Sequence, residues 1–213
     1  ATKTIIYTFY STIFMFGALL ALPIIGFNFL HGVDWWWAII SGVSYGLGLW
    51  GLYVAVNQGE ASHINPFNGG IVTIFIFILS SVFLNEQLNG GQTIGIFILI
   101  LSSLLLSFEK SRKHNGFHIG FVWAIIAGLF FAVSNVTAKY LYGQYDFWTA
   151  FVWSKATTGL VGLALLLSPT VWQSFKKNNK KSDTYAHKHS LFLIGADKII
   201  SIVAVVLIQY AMA

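Results

Sequence analysis

The sequence predicts an all-α membrane protein, a polytopic helical bundle with about seven transmembrane helices. Of its 213 residues, 56% are hydrophobic and only 9% are charged, whereas a soluble chain carries roughly 25% charged residues. Apolar stretches of about 20 residues, long enough to cross the hydrocarbon layer, follow one another with short connections. This composition excludes a cytosolic enzyme and a disordered protein. The absence of Cys excludes a disulfide scaffold.

Seven stretches are long enough to span a bilayer as helices. Five of them contain no Asp, Glu, Lys or Arg, and two are equally apolar apart from internal charges. Runs such as 71–84 and 94–106 do not alternate polar and apolar residues, so the pattern favours helices over membrane strands. The charge-free stretches are 4–33, 35–59, 61–85, 87–108 and 114–138, and the two charged ones are 147–168 and 189–213.

The distribution of Lys and Arg predicts the orientation. With seven spans, nine basic residues fall on the side of the N-terminus and one, Lys139, falls on the other. The side with nine is therefore expected in the cytoplasm. This predicts a multi-pass protein of the cell membrane with cytoplasmic loops at 109–117 and 170–189. The basic segment 175–189 is interpreted as a solvated topogenic loop or as a site for anionic lipids, and nucleic acid is not an expected partner.

The order of the spans indicates an internal repeat. The stretches FYSTIFMFGALLALP (9–23) and FVWSKATTGLVGLALLLSP (151–169) each start with aromatic and Ser or Thr residues, contain Gly midway and close on Pro. The spans that follow them align Gly42 with Gly195. An offset of five spans makes the chain helices two to eight of a ten-helix protein with two inverted halves. One helix would then precede these residues and two would follow them.

The region 57–109 carries a family resemblance. Gly59–Ser62 supply a Gly-Glu-Ala-Ser turn, Pro66 opens a helix, FLNEQL (83–88) supplies an acidic close with Glu86, and Gly95 lies in the final helix. This pattern resembles the EamA domain of the drug/metabolite transporter superfamily, and GLFFAVSNVTAKYL (128–141) resembles the opening helix of a second EamA repeat. The resemblance implies a first repeat at 1–109 without its first helix, a cytoplasmic linker at 110–117, and a second repeat at 118–213 without its last two helices.

Charged residues inside the spans are the first candidates for a substrate or coupling-ion site, because a charge in hydrocarbon costs about 2.5–3.5 kcal/mol. Lys155 lies roughly 12 Å along its span, near the midplane. It either faces a solute or proton pathway or pairs with a carboxylate or helix carbonyls. Asp197 and Lys198 lie about as deep in the last span. We expect Asp197 to pair with Lys155 and to be the best candidate for proton coupling.

Polar and aromatic residues extend the candidate site. Ser134 and Asn135 form a polar spot that either bonds to a neighbouring helix or lines a cavity. Asn65, next to Pro66, is interpreted as part of a turn or as a site residue. Trp50 and Tyr53 either form aromatic cavity walls or pack against lipid and other helices.

Motifs for nucleotide or metal chemistry are absent: the sequence has no P-loop, no GxGxxG and no HExxH. We therefore predict a transporter without cofactor or metal rather than an enzyme. It would move a small metabolite or amphipathic solute by alternating access, and proton coupling and a homo-oligomer remain open. The alternatives are a membrane-embedded enzyme and a structural membrane protein without transport activity.

Overall fold

The computed structural model describes residues 2–26, 28–107, 118–177 and 203–211. Nearly all of these residues are helical, including 203–211. The elements are α1 (Thr2–Ile13), a 3₁₀ helix (Phe14–Ala21), α2 (Leu22–Ile25), α3 (Asp34–Gln58), α4 (Ala61–Phe83), α5 (Gly90–Ser107), α6 (Ile119–Gln144), α7 (Phe147–Leu166) and α8 (Pro169–Lys177).

Six helices in the described part of the chain are long and apolar enough to cross a membrane. The first of them, Thr4–Ile24, combines α1, the 3₁₀ helix and α2; the others are α3 to α7. The predicted all-α polytopic membrane fold is confirmed. The seventh predicted span, 189–213, lies mostly outside the described residues. The assignment to helices two to eight of a ten-helix protein stays a prediction.

The first span changes its winding midway. The 3₁₀ helix runs for eight residues, which is long for this conformation. None of these residues is buried, yet the segment packs against α7. Pro23 lies in the first turn of α2, the part of a helix in which proline is most common. Gly26, with φ of +93°, ends the span in a conformation that favours glycine.

α3 is the central helix of the bundle. It packs most extensively against α6 and next against α7. Small residues make this approach close: a Cβ on Gly42 would lie 2.2 Å from Thr157 Oγ1, and one on Gly51 would lie 3.2 Å from the Cβ of Ala127. Close backbone approach through Gly is a common way for transmembrane helices to associate, because it maximises van der Waals contact.

α4 and α5 extend the bundle on the far side of α6. α4 packs against α6, and α5 packs against α4. The side-chain amide of Asn68 on α4 donates to the Ala124 carbonyl of α6 at 2.7 Å. Much of α5 is apolar and exposed, as expected for a helix that faces lipid.

Several boundaries differ from the predictions. The first stretch, expected at 4–33, is helical only as far as Ile25, and the fourth, expected from residue 87, begins at Gly90. The fifth span was expected to end at Ala138, but α6 continues to Gln144. Lys139 lies within it, and its ammonium group pairs with the Glu86 carboxylate. A loop was expected from residue 170, but residues Pro169–Lys177 form α8, which Pro169 opens and the fully buried Val171 anchors.

The connection between the first span and α3 is fixed to the beginning of α7. Trp153 Nε1 donates to the Asn28 carbonyl at 2.8 Å. The Tyr145 hydroxyl donates to Asp34 Oδ2 at 2.6 Å, and the His31 backbone N–H donates to that hydroxyl at 3.0 Å. The hydrogen bond to the Asp34 carboxylate raises the pKa of Tyr145. These three hydrogen bonds fix the position of the connection on the side of the membrane where α3 and α7 begin.

Candidate functional site

Lys155 lies inside the bundle. It is on α7, eight residues after Phe147 and therefore roughly 12 Å into the span, and its side chain is only 3% exposed. Gly159 and Gly162 lie one and two turns further along the same face of α7. Both glycines pack closely against the first span. Lys155 is thus on the face of α7 that meets other helices rather than lipid.

The ammonium group of Lys155 lies against aromatic rings. Its Nζ is 4.5 Å from the ring centroid of Tyr45 on α3 and 5.8 Å from that of Phe151 on α7. An edge-to-face contact with Phe131 of α6, at 5.5 Å between centroids, holds the Tyr45 ring. A desolvated cation–π contact is worth about 2 kcal/mol. The rings therefore offset part of the cost of burying this charge.

No carboxylate pairs with Lys155 among the described residues. The acidic residues in those ranges all lie at helix ends or in connections. Ser154, the residue before Lys155, is 2% exposed, and its hydroxyl has no hydrogen-bond partner in the described structure. This part of the bundle thus contains a buried cation and a buried donor that the described residues leave unpaired. The acids in those ranges are Asp34, Glu60, Glu86 and Asp146.

Ser134 and Asn135 face different neighbours. Ser41 Oγ of α3 donates to the Ser134 carbonyl at 3.0 Å, and the two hydroxyls are 3.4 Å apart. Asn135 Oδ1 accepts a hydrogen bond from Gln209 Nε2 at 3.2 Å. Because Ser41 is one turn from Tyr45 on α3, the structure brings Ser134 towards the Lys155 site. It places Asn135 instead against the helical stretch 203–211.

The aromatic candidates lie further along α3. Trp50 is 37% exposed and makes an edge-to-face contact with Trp123 of α6, with centroids 5.4 Å apart. The Tyr53 hydroxyl shares a hydrogen bond with Ser11 Oγ at 2.7 Å. These residues lie five and eight positions after Tyr45, about 7.5 Å and 12 Å along the helix axis. Neither residue makes a described contact with Lys155.

The remaining candidates are not at the Lys155 site either. Asn65 is exposed near the start of α4. Asp197 and Lys198 lie outside the described residues, so the predicted pair of Asp197 with Lys155 stays a prediction.

Three residues that the structure places in polar or cation contacts were missed from the sequence: Tyr45, Phe151 and Gln209. Gln209 is 4% exposed, and its Oε1 accepts a hydrogen bond from the Tyr142 hydroxyl at 2.5 Å. A lone amide in an apolar span is the signal that would have found it. No comparable signal exists for Tyr45 and Phe151, since 17% of the chain is aromatic.

A second polar cluster lies where α3 ends and α4 begins. His63 Nδ1 is 3.1 Å from the Ser107 carbonyl oxygen, and its Nε2 is 3.5 Å from Glu60 Oε2. Gln58 Oε1 is buried without a hydrogen-bond partner in the described ranges. Those ranges contain no group of three or more His, Cys, Asp or Glu residues arranged to hold a metal ion.

The fold and the site define a class: a multi-pass α-helical membrane protein with a buried cationic residue between its helices. The chain belongs to the EamA-like transporter family, whose model matches residues 2–108. The match extends from α1 to the end of α5 and confirms the resemblance found at 57–109, whereas the resemblance of 128–141 to a second repeat stays a prediction. Members of this family are membrane transporters and not enzymes. Comparison with curated proteins and with solved structures gives no match.

Proposed function

We propose that the protein carries a small metabolite or amphipathic solute across the membrane by alternating access, with Lys155 at the centre of its binding site. The observation that carries this proposal is the burial of Lys155 in mid-span, against Tyr45 and without a described counter-charge. Ionisable residues at such depth are costly, and they commonly mark substrate or ion pathways. Membership of a transporter family supports the same function.

Alternating access follows from the proposed repeat. Two inverted halves, at 1–109 and 118–213 and joined by the linker 110–117, would rock around a site near the midplane. The excess of basic residues supports a cell-membrane orientation with loops 109–117 and 170–189 in the cytoplasm. The partners in this proposal are membrane lipids and a small solute, with a homo-oligomer as an open option.

Proton coupling is the finer part of the proposal. Asp197 is the only acidic residue well inside a predicted span, and it would exchange a proton as Lys155 binds or releases solute. Replacing Asp197 should therefore reduce the effect of a pH gradient on solute uptake more than it reduces solute exchange when both sides have the same pH.

The test is uptake by the complete protein in proteoliposomes, with radiolabelled amino acids, sugars and organic acids, with and without a pH gradient. We expect at least one labelled class to enter faster than in protein-free vesicles. Lys155→Ala should slow this uptake about tenfold or more, the equivalent of about 1.4 kcal/mol. Asp197→Asn should remove the effect of the gradient.

Lys139→Ala is the matched control, because Lys139 is paired with Glu86 near the end of α6 and should not be needed for solute binding. Normal transport by folded Lys155→Ala and Asp197→Asn variants would refute the site. Failure of every labelled solute to enter would refute transport.

A further inference from the structure

We infer that the solute held at Lys155 is an organic anion, a small molecule with a carboxylate and an apolar portion. The inference rests on the proposed function and names the substrate class of that same site. Three features of the site support it: the charges around Lys155, the rings that face its ammonium group and the buried hydroxyl of Ser154.

Every described acidic side chain already has another partner. A nearby negative charge would stabilise the buried ammonium group, because the low dielectric of its surroundings penalises an isolated charge. The described acids cannot supply that charge to Lys155, since they are held at the ends of helices. The contacts are Asp34 with Tyr145, Glu60 with His63, Glu86 with Lys139, and Asp146 with Thr149.

Aromatic rings form the walls of the site. Tyr45 on α3 presents its ring face to the ammonium group, and the ring of Phe151, on α7 like Lys155, lies 5.8 Å from Nζ. These rings are apolar surface next to a positive charge, which suits a molecule that combines an anionic group with hydrocarbon. A bare inorganic anion would gain nothing from the rings. Tyr45 is accordingly a positioning residue that fixes Nζ.

The hydroxyl of Ser154 is also unpaired. Ser154 precedes Lys155 on α7, about 100° from it around the helix axis, and its buried hydroxyl makes no hydrogen bond within the described ranges. A carboxylate has two oxygens that accept several hydrogen bonds, and charge-assisted bonds from an ammonium group are the stronger ones. An amine-bearing solute would instead face a like charge, and a neutral solute would leave the ammonium group without a counter-charge.

Binding to the purified complete protein tests the inference. Four carboxylates (benzoate, phenylacetate, 4-methylpentanoate and hexanoate) are each compared with the matching primary amide and amine by titration calorimetry, with chloride and phosphate as inorganic anions. At least one carboxylate should bind about tenfold or more tightly than its amide, with no detectable binding of its amine. Chloride and phosphate should not compete. Equal affinity for amide or amine, competition by either inorganic anion, or binding of no carboxylate would overturn the inference.

Variants test whether the carboxylate binds at Lys155. Lys155→Met should weaken carboxylate binding about tenfold or more, while Lys155→Arg, which keeps the charge, should retain most of it. Tyr45→Leu should weaken binding and Tyr45→Phe should not, and Lys139→Met should leave it unchanged. If Lys155→Met does not fold, as judged by its thermal transition, Lys155→Gln takes its place beside Lys155→Arg. Carboxylate binding that survives the loss of the Lys155 charge would overturn the inference.

The same measurements separate this inference from the transport proposal and from an internal pair with Asp197. Uptake of a labelled sugar but of no organic acid, lost in Lys155→Ala, would leave transport standing and remove the anion class. Carboxylate binding without uptake of any labelled solute would support the anion class and remove transport. Carboxylate binding that appears only in Asp197→Asn would show that Asp197 neutralises Lys155, and would also overturn the inference.

Discussion

Replacing Gly42 by Ala tests how closely α3 and α7 cross. The new Cβ would lie 2.4 Å from the Thr158 backbone nitrogen and 2.5 Å from the Thr157 backbone carbon, whereas ordinary contact begins at 3.4 Å. The helices must therefore separate by about 1 Å, the difference between 3.4 Å and 2.4 Å. Because the obstructing atoms belong to the backbone, a change of side-chain rotamer cannot relieve the clash.

Three contributions, two unfavourable and one favourable, determine the expected change in the free energy of unfolding. Overpacking costs about 1–3 kcal/mol. Separation also stretches the hydrogen bond that Thr157 Oγ1 donates to the Ala38 carbonyl at 2.6 Å, and interhelical bonds of this kind average about 0.6 kcal/mol. Ala in place of Gly within a helix returns about 1 kcal/mol. The free energy of unfolding of Gly42→Ala should fall by about 2 kcal/mol, a net of these contributions.

Reversible unfolding in mixed detergent micelles, followed by far-ultraviolet circular dichroism, measures this loss. Gly95→Ala on α5 is the control, since a Cβ there meets nothing within 4 Å, and it should be neutral or slightly stabilising. Adding Thr157→Ala to Gly42→Ala should not restore stability, because the backbone atoms stay in place. Equal stability of the Gly42 and Gly95 variants, or rescue by Thr157→Ala, would refute the close crossing.

Three further predictions use the same unfolding assay. Glu86→Gln and Lys139→Met should show a coupling energy of only about 0.2–1 kcal/mol in a double-mutant cycle, since both side chains are about one-third exposed. This coupling energy should shrink in high salt. A coupling energy that does not change with salt would contradict the prediction. Asp146→Ala should cost about 1 kcal/mol through loss of the α7 cap. The pKa of Asp146 is lowered by the hydroxyl that donates to it, so the charged cap contributes fully above the ordinary value of 3.8 and is lost as the pH falls through the lower folded pKa. Asp146→Asn should lack that dependence, and a parallel acid loss in both proteins would contradict it. Asn68→Ala should lose about 0.6–1.7 kcal/mol and the exposed Asn65→Ala almost nothing, so equal losses would remove the interhelical role of Asn68.

The fold class was predictable because the hydrocarbon layer imposes a length on every apolar stretch, and that length is visible in one sequence. The end of α6, by contrast, was not predictable from the sequence. Lys139 interrupts the apolar run, yet the helix continues past it, and its charge is paired with Glu86, 53 positions earlier. A local pattern contains no information on a partner that distant. The 3₁₀ winding of Phe14–Ala21 was likewise invisible, since a uniformly apolar segment has no periodicity that distinguishes the two helix types.

Part of the candidate site was predictable for a similar reason. Lys155 is conspicuous in the sequence because hydrocarbon penalises its charge. Tyr45 is not, because whether an aromatic ring meets a cation or lipid depends on the rotation of its helix about its axis. That rotation is set by packing against α6 and α7, to which Gly42 and Phe131 contribute.

The 3₁₀ stretch in the first span has a geometric consequence. A rise of about 2.0 Å per residue instead of 1.5 Å makes its eight residues reach about 4 Å further than the same residues in an α-helix. With three residues per turn instead of 3.6, it also winds about 160° further over its length. If these eight residues rewound into an α-helix, the span would shorten by about 4 Å. Pro23 and the exit of the chain would rotate about the helix axis by almost half a turn.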